Sequence, residues 1–296
     1  MNPQVTVAIP TLNRARSLAR AVASVQAQDV ASLEILVGDN GSRDDTRELC
    51  AALAEREPRL RYVRREVTCG PFTNFRSLLE QSQGELFMWL GDDDCLGPAY
   101  LRDCVSALRR LPDHSAVAGR TLYSTGDATR EEGRNVSLES EDPGSRLLEH
   151  YARVLRNELF YGLMRKEAAA ACPLSEVVGA DWHFVAALAF AGKIRTLESV
   201  HLERALGGTS DNFERIVAAG GLPAWHARVP YLVMAAGAFA EILWRTRVYR
   251  SLGAPHRLRL GARAAFTVAW RGRSHDFQAL GRARRRLVGW LQGAPP

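Results

Sequence analysis

The sequence predicts an α/β fold: a mostly parallel sheet with flanking helices, followed by a C-terminal helical extension. Three observations carry this. Strand and helix signals alternate over roughly the first 110 residues, the pattern of successive βαβ units. A wholly apolar strand, Leu86–Leu90, runs directly into Gly91-Asp92-Asp93-Asp94. After Ser210 the pattern is helical to the end. With 296 residues, 46% of them hydrophobic and 24% charged, the chain can bury a core without disulfides and is too apolar to be disordered.

Each element has its own signal. Val5–Ile9 is a β-branched run closed by Pro10, and Leu18, Val22 and Val25 then recur at helical spacing. Leu33–Val37 is a second strand, ended by the turn residues Gly38-Asp39-Asn40-Gly41-Ser42. Asp44–Glu57 reads as a helix with acids at its N-terminus, where the helix dipole favours them. Leu60–Val63 is a third strand, and Phe72–Gln83 is a helix ending at Gly84. Val117–Tyr123 reads as strand, Asp127–Gly144 as a polar loop, Ser145–Asn157 as helix and Phe160–Met164 as strand. Asp181–Ala191 is helical and stops at Gly192, and Ile194–Leu197 and His201–Leu206 read as two extended segments. Tyr231–Trp244 is apolar apart from Glu241, too short and interrupted for a membrane span. Met1–Pro10 lacks the basic start of a cleavable signal.

The net charge of +6 is unevenly spread. Residues 242–296 hold twelve arginines and one acid, Asp276, so they carry +11 and leave −5 for the rest. Such a tail meets an anionic membrane, a phosphorylated substrate or nucleic acid, or is simply a solvated helical face. No nucleic-acid motif accompanies it. Five scattered cysteines without a CxxC exclude a disulfide framework and a thiolate zinc site, and fit a reducing, cytoplasmic setting.

Asp92-Asp93-Asp94 is the sharpest chemical feature. Adjacent carboxylates repel, and these sit at the C-terminal end of a strand, where open α/β sheets place their ligands. Mg²⁺ or Mn²⁺ typically takes one or two such carboxylates together with substrate phosphates. The plain alternative is a solvated acidic turn capping the helix that begins near Pro98. Asp39, in the turn after the second strand, suits a hydrogen bond from a base or ribose, or merely builds the turn. Asp181 opens a helix, as an ordinary N-cap or as a held, ionised general base. His201 is a candidate metal ligand or a structural histidine.

These motifs, in this order, resemble the family 2 glycosyltransferases with the GT-A fold, over about residues 4–215. Val5-Thr6-Val7-Ala8-Ile9-Pro10-Thr11-Leu12-Asn13-Arg14 is similar to the family's strand followed by P-T-x-N-R. Glu34–Ser42 resembles E-I-x-V-x-D-x-G-S, and Gly84-Glu85 with the run to Asp94 resembles its G-E-strand-DxD block. Gly179-Ala180-Asp181-Trp182 resembles the motif that supplies the base, and Arg204–Ser210 the late R-x-x-G-x-S segment. The Leu-Gly-Asp-Asp-Asp form is most similar to the abequosyltransferase-like branch. Three positions depart from the pattern: Gly91 for the usual first Asp, Ala180 for a Glu, and Asn40 for a frequent Asp.

The resemblance implies an inverting, metal-dependent transfer of a sugar from a nucleoside diphosphate sugar to an acceptor hydroxyl, in bacterial surface polysaccharide or glycolipid assembly. It implies Asp181 as the base. It implies substrate contacts from Pro10, Thr11, Asn13, Arg14, Asp39, Asn40, Gly41, Asn74, Asp92, Trp182 and Arg204. Asp93 and Asp94 are expected to hold Mn²⁺ or Mg²⁺, with Asp92 an alternative partner and His201 a further ligand. Residues 1–215 are expected to form the catalytic domain, 1–110 its nucleotide-sugar half and 111–215 its acceptor half, with 216–296 a basic extension. Phe277, Leu280, Leu287 and Leu291 form an apolar stripe opposite Arg282, Arg285 and Arg286. That stripe lies on the inner face of the cytoplasmic membrane, near a lipid-linked acceptor, or packs on its own domain or in a homodimer. Two other readings compete. One is a GT-A-like binding or scaffold protein without turnover, which Gly91 and Ala180 favour. The other is a sugar-phosphate nucleotidyltransferase, which the glycine-free Thr11–Ser17 segment disfavours.

Overall fold

The computed structural model describes residues 3–124, 130–206 and 212–291, with backbone only at 130 and 277–291. The first half runs β1 (Val5–Thr11), α1 (Ala15–Gln26), β2 (Leu33–Asp39), α2 (Thr46–Arg56), β3 (Leu60–Arg64), α3 (Pro71–Gln81) and β4 (Leu86–Trp89). There follow β5 (Cys95–Leu96), α4 (Tyr100–Arg110), β6 (His114–Ser124), β7 (Arg130–Glu132) and α5 (Pro143–Arg153). A 3₁₀ turn, Glu158–Tyr161, leads to β8 (Leu163–Arg165), α6 (Lys166–Ala170), α7 (Ala180–Ala191) and β9 (Lys193–Ala205). The C-terminal helices are α8 (Phe213–Ala219), α9 (Pro230–Ala240) and α10 (Ala254–Leu291).

One sheet of order β3-β2-β1-β4-β8-β6-β9-β5 crosses the molecule, with β7 paired to β6. The long ladders are parallel: β1 to β2, β1 to β4, β2 to β3 and β6 to β9. The antiparallel ladders of β4 with β8, β6 with β7 and β8, and β5 with β9 are short. Every residue of β1 and β2 is buried, as parallel strands covered on both faces must be. Alternation divides β1 between two cores. Val5, Val7 and Ile9 pack with Leu18, Val22 and Val25 of α1 and Leu101 and Val105 of α4. Ala8 joins Leu36, Phe87 and Trp89 against Leu78 of α3 and Phe184 and Leu188 of α7.

Helix α7 is apolar all round because it is covered all round. Phe184, Val185 and Leu188 face the sheet, while Trp182, Ala186 and Phe190 face a third core with Leu147, Met234, Ala238, Leu260, Ala264 and Val268. The basic extension is therefore not a loose tail up to residue 276: α9 and α10 complete the far side of α7. Buried Asp276 accepts a hydrogen bond from the Leu232 N–H at 2.8 Å, tying the two helices together. The side chains of the predicted stripe at 277, 280, 287 and 291, with those of 282, 285 and 286, lie outside the described residues.

The structure corrects several sequence boundaries. Ile194–Leu197 and His201–Leu206 are one strand, β9. Its pairing with β6 jumps from Gly119–Leu197 to Arg120–His201, so residues 198–200 form a bulge that reads as a break. Gly119 permits it, since a Cβ there would approach the Val200 carbonyl to 2.7 Å. The polar 127–144 segment contains β7 and, from Pro143, the start of α5, where Asp142 accepts from the Ser145 N–H at 2.6 Å. Helix α5 ends at Arg153, and Asn157 is left-handed at φ +51°, which an Asn tolerates better than most residues. Helix α2 begins at Thr46 because Asp44 folds back, accepting from the Thr46 hydroxyl and the Ala15 N–H.

Two histidines are buried in the third core. His183 pairs through Nδ1 with the Tyr151 hydroxyl at 2.8 Å, and His150 through Nε2 with the Trp182 carbonyl at 3.2 Å. Burial pushes the His150 pKa down to about 3 and that of His183 to about 4. An unfolded histidine titrates near about 6.5, so below that pH the unfolded chain takes up protons that the folded chain refuses. In urea unfolding these two histidines should make stability fall as pH drops from about 6.5 to about 4. Asp92 and Asp94, both pushed up to about 6 by burial, act in the opposite sense below about 6, so the histidine contribution is read as the difference between wild type and variant. His183→Gln should reduce that slope by about 1.4 kcal/mol per pH unit.

Candidate active site

Strand order reverses between β1 and β4, so the crevice beyond their C-terminal ends is the natural ligand position. Thr11 ends β1, the 38–42 loop follows β2, and Asp92–Asp94 follow β4. The Thr11 hydroxyl donates to Asp92 Oδ2 at 2.7 Å. Arg14, at the start of α1, donates to Asp93 and stands 3.8 Å from Asp92 Oδ1. Asn13 is left-handed at φ +54° and links two loops: its N–H donates to Ser42 Oγ at 2.8 Å, and its Oδ1 accepts from the Arg43 N–H at 2.7 Å. Pro10 is buried in β1, paired with Gly38.

The 38–42 loop is held from within. Asp39 is fully buried; it accepts from the Ser42 N–H at 2.7 Å and the Tyr62 hydroxyl at 2.7 Å, with Arg64 Nε at 3.4 Å. Asn40 donates to the Cys69 carbonyl at 2.8 Å and accepts from the Cys69 N–H at 3.0 Å. Gly41 sits at φ +85°, a turn conformation that favours glycine. Asn74, from α3, donates to the Gly38 carbonyl at 2.9 Å. A cavity of about 410 Å³ opens beside this loop, lined by Gly38, Arg64, Asn74 and Leu78 among others. None of the acids of 92–94 lines it.

The three acids have three environments. Asp92 is mostly covered, and burial pushes its pKa up to about 6 against the Thr11 hydrogen bond and the Arg14 charge. Asp93 is the most open of the three. Asp94 is buried and also pushed up to about 6 by burial, opposed by Arg204. Its Oδ2 faces Arg204 Nε at 3.3 Å and its Oδ1 accepts from the Ala205 N–H at 3.2 Å. This carboxylate also explains Gly91: a Cβ there would lie 2.7 Å from Asp94 Oδ2, so the family's usual Asp does not fit without moving Asp94.

Arg204 comes from β9, beside the point where β5 pairs with that strand. Its guanidinium lies 4.2 Å from the Tyr161 ring centre and 5.6 Å from that of Tyr123. Nη1 is 3.4 Å from both the Tyr123 hydroxyl and the Arg156 carbonyl. His201, three residues earlier, does not reach the acids. Its Nε2 stands 3.7 Å from Glu203, and strand alternation puts both on the face opposite Arg204. Gly207–Ser210, the rest of the late motif, lies outside the described residues.

Asp181 is in the first turn of α7, half-buried. Its Oδ2 accepts from Asn157 Nδ2 at 2.9 Å, and burial raises its pKa despite that bond and the Arg204 charge. Ala180, the departure beside it, packs in the second core, where a Glu would be buried. Trp182 points the other way, into the third core, with Arg271 5.2 Å from its ring centre. Tyr161 connects the two acidic regions. Burial is the main cause of its raised pKa, and the charges of Asp94, Asp181 and Asp93 all raise it further, against Arg204. Tyr161 and Arg204 therefore lie within electrostatic reach of both the acidic triplet and Asp181. Tyr161, Tyr123 and Asn157 carry no local sequence pattern; the left-handed Asn157 is visible only once its backbone is known.

Among the described residues no group of three His, Cys, Asp or Glu side chains forms a ready metal cage. Asp92 and Asp93 still fit a hard cation that completes its shell with substrate phosphates. They offer carboxylate oxygens at the crevice, and burial leaves Asp92 short of compensation. Asp94 is already occupied by Arg204 and the Ala205 N–H.

Residues 6–169 match the profile of Glycosyl transferase family 2, and the chain belongs to that family. It is 38% identical over 144 residues to a GalNAc(5)-diNAcBac-PP-undecaprenol beta-1,3-glucosyltransferase of Campylobacter jejuni, covering 47% of this chain and 45% of that protein. It is 24% identical over 159 residues to the putative colanic acid biosynthesis glycosyl transferase WcaA of Escherichia coli, covering 54% of this chain and 57% of that one. The chain thus spans about half the length of the curated relatives it matches. Its fold is that of S. aureus TarS in complex with UDP-GlcNAc, with TM-score 0.63, 16% identity, and 94% and 80% of the two chains covered. A mannosyltransferase from Pyrobaculum calidifontis, solved with GDP-Man and Mn²⁺, aligns with TM-score 0.52 at 18% identity, covering 96% and 80%. The GT-A architecture implied by the motifs is the one observed.

Removing Arg204 leaves Asp94 as a buried, unpaired charge, which typically costs about 3–5 kcal/mol. Arg204→Gln should lower stability by that order in urea unfolding. Asp94→Asn in the same chain should restore part of the loss, the coupling being read from the double-mutant cycle.

Proposed function

We propose that this protein is an inverting glycosyltransferase moving a sugar from a nucleoside diphosphate sugar to an acceptor hydroxyl. The observation that carries the reading is that two differently equipped acidic groups lie within electrostatic reach of one tyrosine, Tyr161: an open carboxylate at the strand switch point, and a half-buried one pinned by Asn157. The UDP-GlcNAc and GDP-Man complexes of the structural neighbours support a nucleoside diphosphate sugar donor. The undecaprenol-linked name of the Campylobacter relative supports a lipid-linked acceptor in glycan assembly.

In this reading Thr11, Arg14 and the 38–42 loop border the donor. Asp93 and Asp92 would hold Mn²⁺ or Mg²⁺, which stabilises negative charge developing on the diphosphate. Arg204 fixes the crevice by bracing Asp94 against Tyr161. Asp181 takes the proton of the acceptor hydroxyl. Asn157 fixes the orientation of that carboxylate, and burial makes it a stronger base than an ordinary aspartate. The acceptor oxygen bonds to the anomeric carbon as the bond to the diphosphate breaks, and this single displacement inverts configuration. We assign this chemistry to residues 1–215 and a supporting role to 216–296, whose helices back α7.

A positioned base contributes about 10²–10⁴-fold. Asp181→Asn should lower kcat by that factor, while nucleoside diphosphate affinity, measured calorimetrically, stays unchanged. Wild-type turnover would remove Asp181 as the base. Asp93→Ala should abolish the increase in nucleoside diphosphate affinity caused by Mn²⁺; an undiminished increase would remove Asp93 from the metal site.

A further inference from the structure

Nine large hydrophobic residues are exposed among the described residues, and five of them gather on the C-terminal helices: Leu232, Trp244, Leu258, Phe266 and Trp270, each 46–67% exposed. Helix α9 is apolar on every side, yet only part of it is covered. Leu232, Ala236, Phe239 and Leu243 follow one another at helical spacing, the first two exposed and the others half-exposed. On the outer face of α10, Phe266 and Trp270 stack with ring centres 5.9 Å apart, and the Arg273 guanidinium sits 4.1 Å from the Trp270 ring centre. Burial of Leu260, Ala264 and Val268 against the domain fixes which face of α10 points outward.

The exposed charge carried by α9, α10 and the turn between them has one sign. Between Glu241 and Asp276 the chain has eight arginines and no acid, and both of those flanking acids are buried. Arg245, Arg247, Arg250, Arg259, Arg263 and Arg273 are all exposed. We propose that the outer face of α9 and α10 docks on an anionic lipid bilayer. The aromatic rings would sit at headgroup depth, with the arginines on lipid phosphates. A second copy of this chain is the poorer occupant, because a two-fold contact would set arginine against arginine. Nucleic acid is a poorer occupant as well, because Leu232, Ala236, Leu243 and Leu258 on the same surface give bases nothing to stack on and no nucleic-acid motif accompanies the aromatic pair.

The surface stands on its own residues, and only its use rests on the glycosyltransferase reading. Tyr231, which opens α9 beside Leu232, packs on Trp182 with ring centres 6.3 Å apart, and Arg271 covers the same indole. Trp182 follows Asp181 in the first turn of α7 but points the other way, so the surface backs the helix end that carries the proposed base. Docking there would hold the enzyme on the bilayer in which a membrane-anchored acceptor lies.

Flotation of the full chain with vesicles of phosphatidylcholine, alone or mixed with phosphatidylglycerol, tests this. Binding should require phosphatidylglycerol and weaken with salt. Each arginine near a bilayer contributes about 1 kcal/mol, so R259Q/R263Q/R273Q should lower partitioning about a hundredfold. F266S/W270S should lower it at least about tenfold through lost apolar burial. Both variants should keep the wild-type melting temperature and Mn²⁺-dependent nucleotide affinity. Absence of flotation by the wild type on either vesicle overturns the proposal. So does a wild-type dimer that F266S/W270S converts to monomer in sedimentation, or single-stranded DNA binding that the same variant loses while vesicle binding persists. Vesicle binding by a chain that transfers no sugar would leave the docking surface intact and remove only its proposed use.

Discussion

The crevice depends on how three consecutive carboxylates are kept from repelling one another apart. Arg204, delivered from β9 more than a hundred residues along the chain, meets Asp94 at 3.3 Å in a buried position. Arg14, from the first β–α connection, meets Asp93 and Asp92. A buried carboxylate with a fixed cation is locked in place, whereas a partly open one remains available to an exchangeable cation. Asp94 is thus braced on both oxygens while Asp93 is the most open of the three, although they are neighbours of the same type. The same pair ties the first half of the chain to the second, since Arg204 also rests on Tyr161 and Tyr123.

A second constraint is the burial of α7. A helix with ten of its twelve residues buried has no solvent face, so it requires partners on both sides. The sheet supplies one, and α5 together with the C-terminal helices the other. This makes the extension part of the scaffold that fixes the start of α7, where Asp181 stands. The apolar character of α9 follows in part from the same packing and exceeds it on the outer side, where hydrophobic and basic residues are left without cover.

The strands and helices of the first half were legible because apolar periodicity and turn chemistry are local. The acid cluster at a strand end was legible in consecutive residues, while Thr11 and Arg14 were brought to it only by the order of the family's motifs. Asp39 and Asn40 were legible as loop residues and Asn74 as a helix residue. Their partners, Tyr62, Cys69 and Gly38, are what make them internal braces. His201 and Arg204 show the limit most clearly: three residues apart on one strand, they face opposite ways, and a bulge at 198–200 disguises that strand as two segments. Tyr161 and Asn157 had no pattern to betray them, because a single tyrosine or asparagine gains meaning only from what stands across from it.

By itself the sequence determined the class of sheet, the site at its switch point and the concentration of positive charge at the C-terminus. Each follows from periodicity, local turn preference or composition. Tertiary structure decided which aspartate is braced and which is open, that Arg204 rather than His201 reaches them, and that Asp181 lies within electrostatic reach of the same tyrosine as they do. It also decided which face of the basic helices is turned outward. Those choices rest on burial and on contacts between residues far apart in the chain, where the direction of a side chain, not its identity, sets its charge state and its partners.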